Sequence, residues 1–219
     1  MERGAPYADL TLGEFGDHLA SAEPVPGGGS ASAVAASMAG SLLAMVSRLS
    51  TDRSKYAAYA STHARALQVA EEARKRLLAL ADDDARAYAA FAAARKMPRD
   101  TAEEQAAREE ATHVAARQAT EVPLAVAREC ARIIDEAEAM AGRSNLNAAS
   151  DLEVAARLAA AAARGAAANV IINLPMVGDE VFRGATMIEL TRLVEGVDRA
   201  AAQVSQRVSA GSLRQPETE

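Results

Sequence analysis

Two short segments carry residues that could do chemistry. Asp82-Asp83-Asp84 offers three consecutive carboxylates, and Pro26-Gly27-Gly28-Gly29-Ser30 offers a backbone that a ligand can approach closely. In a helix, successive residues turn about 100°. The three carboxylates therefore point in different directions and cannot chelate one ion together. The apolar stripe of this segment is Leu77, Leu80, Tyr88 and Phe91, and Asp84 falls on it between Leu80 and Tyr88. A carboxylate at a core position is costly unless it is paired or neutralised. Desolvation would raise its pKa and suit it to general acid–base work. Pairing with an arginine across the bundle is the alternative. Asp82 follows Leu78 without a large apolar successor, and Asp83 lies away from the stripe.

Gly27, Gly28 and Gly29 permit positive φ and close approach of a ligand to the main chain. A helix capped by Ser30 would add free N–H groups. A phosphate loop is excluded on detail, because no Gly-Lys-Ser/Thr follows and no strand precedes. A plain flexible turn is the other reading. Asn169 and Asn173 lie four apart on a small apolar face with Ala162 and Gly165, and their amides need hydrogen-bond partners. Those partners could be backbone or a neighbouring helix. His18, His63 and His113 lack ligand spacing and read as surface or structural, so no metal site is expected. Cys130, the single cysteine, reads as a small buried hydrophobe rather than a nucleophile.

These residues need a scaffold, and the composition says which. The 219 residues are 50% hydrophobic but only 3% aromatic, with no tryptophan. The length suits one domain, and runs such as Ala159 to Ala163 favour helix. The expected fold is all-α: a single-domain bundle of long, alanine-rich helices over residues 1–211, with a polar, frayed tail at 212–219. Periodicity and punctuation predict helices near 12–22, 30–49, 54–96 (with one bend or break), 101–140, 150–172 and 179–210. Thr101-Ala102-Glu103-Glu104 and Ser150-Asp151-Leu152-Glu153 look like capping boxes. Pro123 is expected to kink its helix. The spacing Leu190, Leu193, Val197, Ala201, Val204, Val208 is close to a heptad seam, either core or subunit interface. The Glu and Arg residues of 103–117 read as a solvated face.

A net charge of −6 and scattered, helix-spaced arginines argue against nucleic acid as partner. No segment is read as a membrane span, and Met1-Glu2-Arg3-Gly4 lacks the apolar core of a signal peptide. A cytoplasmic location is the expectation.

Taken in order, the motifs resemble the cyclodeaminase/cyclohydrolase family. That family includes the cyclodeaminase half of formiminotransferase-cyclodeaminase and stand-alone methenyltetrahydrofolate cyclohydrolases. The resemblance spans about 12–210. It rests on Pro26 to Ser30, on Asp82-Asp83-Asp84-Ala85-Arg86-Ala87-Tyr88, and on Lys96-Met97-Pro98 with Thr101 to Glu104. It continues through Glu121-Val122-Pro123-Leu124, Asn145-Leu146-Asn147 with Ser150-Asp151-Leu152, and Asn169-Val170-Ile171-Ile172-Asn173. One departure is Ser144, where a glycine usually precedes the Asn-Leu pair. The resemblance implies an all-α homodimer with a folate site at the dimer interface. It implies a catalytic aspartate at Asp84, with Asp82 as second choice. Gly27 to Ser30 would lie against the pterin or bridge, while Asn145, Asp151, Asn169 and Asn173 would read the pterin edge. Lys96 or a nearby arginine would meet the glutamyl tail. The implied activity is reversible hydrolysis of 5,10-methenyltetrahydrofolate to 10-formyltetrahydrofolate, with no cofactor beyond the tetrahydrofolate substrate. The alternatives are an ammonia-releasing formiminotetrahydrofolate cyclodeaminase and a non-catalytic folate-binding bundle.

Overall fold

The computed structural model describes residues 5–216. The described residues form six α-helices and no strand. They are α1 (Leu12–Leu19), α2 (Gly28–Ser50), α3 (Ala60–Arg95), α4 (Ala102–Met140), α5 (Ala149–Asn173) and α6 (Glu180–Ala210), with short 3-10 turns before α1 and in the α2–α3, α4–α5 and α5–α6 connections. Small residues let the long helices approach closely. A Cβ on Gly40 would meet the backbone and Cβ of Arg74 on α3 at 3.3–3.5 Å, and one on Gly165 would lie 2.3 Å from Ser32 Oγ on α2. The shared core is alanine from α2, α3, α4 and α5, filled in by Leu43, Leu77, Leu80, Ile133, Ile134, Met140 and Leu152.

The predicted helices are present, with their ends adjusted. The break near 54–60 is a 3-10 turn, Ser54–Tyr59, before α3. Thr101 and Glu104 form the reciprocal capping box, and Thr11 with Glu14 forms a second one at α1. Ser150 to Glu153 does not. Helix α5 starts at Ala149 with no side-chain cap, because the preceding turn Leu146–Ala148 already leads the chain in helically and Asn145 caps that turn through Asn147 N. Nor does Ser30 cap α2: Gly27 is the N-cap, and Ser30 lies fully buried within the first turn. Gly27 to Gly29 do not adopt positive φ either; among the described glycines only Gly142, Gly178 and Gly211 do.

The α6 seam is core. Leu190, Val197 and Val204 are buried within the chain, with Leu193, Ala201 and Val208 packed beside them. The tail is tied down rather than frayed as far as Gln215. Arg214 N donates to Gly142 O and Tyr59 Oη to Arg214 O, both at 2.7 Å, and Arg143 Nε donates to Gln215 O at 2.7 Å. Residues 217–219 of that tail, and the N-terminal Met1 to Gly4, lie outside the described residues. By length and composition alone, Gly28–Ser50 and Leu146–Met176 are apolar enough to cross a membrane. The expectation that no segment has the character of a membrane span is therefore corrected for length and composition. Half or more of the most apolar window of each segment is buried inside the bundle, as in the core helix of a globular protein.

Candidate active site

Helices α2 and α3 pack side by side, and the contact at the start of α2 holds Asp84. Ser30 Oγ hydrogen-bonds Asp84 Oδ2 at 2.9 Å and also donates to Ala81 O, 3.0 Å away. Gly29 is the residue that makes room. A Cβ there would lie 2.2 Å from Asp84 Oδ1, so only glycine lets the carboxylate rest against the first turn of α2. The glycine is therefore required for close approach, not for an unusual φ. The alternative of an interhelical arginine is not realised, since the groups acting on Asp84 are the hydroxyl and backbone N–H of Ser30. Burial raises the Asp84 carboxyl above the usual carboxylate range, and the Ser30 hydrogen bonds pull it partly back.

Asp84 faces a cleft of about 330 Å³. Gly27, Gly28 and Gly29 form one wall, Tyr88 and Phe91 continue from Asp84 along α3, and Asn169, Ile172 and Asn173 come from the end of α5. Asn169 Nδ2 donates to Gly165 O at 2.9 Å within its own helix. That leaves its Oδ1 as an acceptor for a ligand. Asn173 has a different partner: its Nδ2 donates to Ala119 O on α4 at 2.8 Å. Ala119 precedes Pro123 by four residues. In a regular helix its carbonyl would receive the N–H of residue 123, which proline lacks. Asn173 supplies the missing donor and ties the end of α5 to the proline position of α4. The Pro123 and Asn173 motifs are thus two halves of one contact.

The structure does not bring together every residue that the sequence marked. Asp82 lies two positions from Asp84, about 200° around the helix. It accepts a hydrogen bond from Tyr7 N at 2.9 Å and fastens the N-terminal turn, so it is not a catalytic candidate. Lys96 is the exposed cap of α3 and does not line the cleft. Asn145 and Asp151 sit at the other end of the bundle, because α2 and α5 run antiparallel. Asp151 precedes Asn169 by 18 residues of one helix, about 27 Å. Asn145 is buried and structural there, with its N donating to Ser50 Oγ and its Nδ2 to Leu49 O. Ser144, where the family has glycine, is buried beside it. Cys130 is fully buried, and burial pushes its thiol up to about 12. Among the described residues no cluster of His, Cys, Asp and Glu could hold a metal ion. The sequence marks Tyr88 and Phe91 only as residues of the apolar stripe. Their spacing of four and seven from Asp84 was the available signal that they share its face.

An all-helical bundle that holds one half-buried carboxylate against a glycine turn, beside a cleft walled by aromatics and amides, is a small-molecule site rather than a docking face. The chain belongs to the formiminotransferase-cyclodeaminase family, whose sequence model matches residues 11–192. It is 37% identical over 198 residues to the methenyltetrahydrofolate cyclohydrolase of Methylorubrum extorquens, which covers 90% of this chain and 93% of that protein. It is 34% identical over 196 residues to the formimidoyltransferase-cyclodeaminase of Rattus norvegicus, of which it spans 36%. The solved formiminotetrahydrofolate cyclodeaminase of Thermotoga maritima superposes with a TM-score of 0.85 at 30% identity, over 93% of this chain and 98% of that one.

Proposed function

We propose that this protein is a methenyltetrahydrofolate cyclohydrolase in which Asp84 is the general base. The observation that carries the mechanism is the half-buried Asp84 carboxylate, set against Gly29 and Ser30 and open to the cleft. The methenyl carbon sits in a cationic N–C–N bridge, and a carboxylate nearby favours that charge. Water adds to this carbon while Asp84 takes one of its protons. Asp84 then returns that proton to N5 as the N5–carbon bond breaks. The added oxygen loses its second proton to solvent and becomes the formyl oxygen on N10. No atom changes oxidation state overall, so the proposal includes no cofactor beyond the tetrahydrofolate substrate.

The likeness over nearly the full length of the Methylorubrum enzyme favours this reading. The likeness to the Thermotoga cyclodeaminase supports a second one, in which Asp84 protonates the leaving nitrogen so that it departs as ammonia. Loss of methenyltetrahydrofolate absorbance tests the first, and ammonia release from formiminotetrahydrofolate tests the second. General-base catalysis contributes about 10²–10⁴-fold. Asp84→Asn should lose that much turnover, and activity within a few-fold of wild type would refute the role.

The proposal extends to a homodimer and a cytoplasmic location. Met38, Leu42, Met45 and Leu49 make an outward seam on α2 at heptad spacing, and Val154, Leu158 and Ile172 lie outward on the adjoining α5. A two-fold axis through this face and perpendicular to α2 would set the Asn145–Asp151 end of one chain against the Asp84 end of the other, a site for which both motifs have a use. Met45→Glu should convert the dimer to monomer in analytical ultracentrifugation. An unchanged mass would sink this assignment.

A further inference from the structure

We propose that residues 212–215 form a strap that positions the Asn145–Asp151 end of one chain in the active site of its partner, with Arg214 as the positioning residue. The inference rests on the folate and dimer readings above. It concerns a segment outside residues 11–192, the span that the family model matches.

The strap closes the end of α4. The last carbonyls of a helix lack partners within it, and here two arginines serve them. Arg143 Nη1 donates to Ala139 O at 3.0 Å, and Arg143 N donates to Met140 O at 2.8 Å. Arg214, which reaches α4 from beyond α6, serves the others. Its Nη1 donates to Glu138 O at 3.1 Å and to Ala141 O at 3.2 Å, and its N donates to Gly142 O at 2.7 Å. The same guanidinium pairs with Glu138 Oε1 at 3.1 Å, a carboxylate that Arg207 also meets. A cation suits the negative end of a helix. The strap is held in return by Tyr59 Oη, which donates to Arg214 O, and by Arg143 Nε, which donates to Gln215 O. Gly142 leaves space for it, since a Cβ there would lie 2.9 Å from Arg214 Cγ. Gly211, in the left-handed conformation, ends α6 just before the strap.

The turn that the strap holds is the one that carries the Asn145 motif. His63 Nε2 lies 2.8 Å from Arg143 O, Asn145 N donates to Ser50 Oγ, and Leu146 N donates to Tyr56 Oη. The turn is thus clamped on one side by the α2–α3 connection and on the other by the strap. Asn145 belongs to the clamp. Its Nδ2 donates to Leu49 O and its Oδ1 accepts from Asn147 N. What this end offers outward is Asn147, exposed, and Asp151, half-buried four positions on. Residues at that spacing share a helix face. In the two-fold arrangement that face meets the partner's Asp84 cleft, and polar groups at a site act only when held to about 0.5 Å. The strap supplies that hold on the α4 side of the turn.

The test uses hybrid dimers of full-length chains. Arg214→Ala homodimers should show a KM for 5,10-methenyltetrahydrofolate about tenfold above wild type, roughly the loss of one hydrogen bond to the folate. Their kcat should stay within a few-fold, because Asp84 keeps its Ser30 and Gly29 contacts. Asp84→Asn homodimers lack the base. A hybrid of the two, co-expressed with different affinity tags and purified through both, has one whole site: Asp84 from the Arg214→Ala chain and the strapped end of the Asp84→Asn chain. It should recover the wild-type KM with about half the wild-type turnover per dimer. Damage confined to the Arg214→Ala chain would not be cured by a partner. A hybrid that keeps the raised KM, or an Arg214→Ala homodimer with the wild-type KM, overturns the inference and leaves the cyclohydrolase reading intact. Should Arg214→Ala fold poorly by circular dichroism, Tyr59→Phe, which removes only the hydroxyl at Arg214 O, replaces it; a smaller rise in KM with the same hybrid rescue is then expected. If no hybrid passes both tags, the dimer reading fails and the inference falls with it. If the wild type does not turn over the methenyl compound, the cyclohydrolase reading fails, and calorimetry with tetrahydrofolate decides the strap. One site of wild-type affinity in the hybrid supports it, and affinity no better than in the Arg214→Ala homodimer overturns it.

Discussion

The contact between Asn173 and the proline position of α4 makes a sharp quantitative prediction. Ala119 is 9% exposed, so its carbonyl has little access to water, and Pro123 cannot donate to it. In Asn173→Ala the carbonyl loses the Nδ2 donor that it now meets at 2.8 Å. An unsatisfied buried acceptor costs about 1–3 kcal/mol. In a protein of this size, that lowers the melting temperature by roughly 2–4 °C for each kcal/mol. Pro123→Ala restores an N–H at the position that should serve Ala119. In that background the carbonyl has its helical donor, and Asn173→Ala should cost at least about 1 kcal/mol less. The assay is urea and thermal denaturation by far-UV circular dichroism on the four members of the cycle. Equal costs of Asn173→Ala in both backgrounds, within about 0.3 kcal/mol, would refute the view that the amide substitutes for the missing N–H.

Other outcomes follow from the Asp84 geometry. Burial favours the neutral acid at Asp84, so the stability that protonation contributes is full below the ordinary carboxylate pKa and is lost as pH rises through the raised folded value. Asp84→Asn stays neutral; melts should show it at least as stable as wild type at neutral pH, with that relative advantage gone below about pH 4. Gly29→Ala forces the carboxylate off Ser30, because the new Cβ would lie 2.2 Å from Oδ1. A displacement on that scale should cost turnover about 10²-fold, and full activity in steady-state assays would rule out the close-approach role.

Much of this protein was legible as sequence. Helix periodicity and the Thr101–Glu104 capping box set out the bundle, because which face is buried and where a helix starts are encoded within a few residues. Asp84 stood out for the same reason, as a carboxylate on an apolar stripe. Motifs that share a ligand in a family carry no distances, however. Asp82 went to Tyr7, Asn145 to the Ser50 end of α2, and Lys96 to solvent. The glycines invited a backbone explanation, while the real constraint was a carboxylate from residue 84 occupying the space of a side chain at residue 29.

The amino-acid sequence alone determined the all-α class, the approximate helix limits and the identity of the odd carboxylate, since each depends on local spacing. The tertiary structure decided the rest. It set Ser30 and Gly29 against Asp84 and gave Asn173 to the carbonyl that Pro123 leaves free. Those contacts join residues 54 or more positions apart or on different helices, and which helices meet is settled by packing the whole bundle.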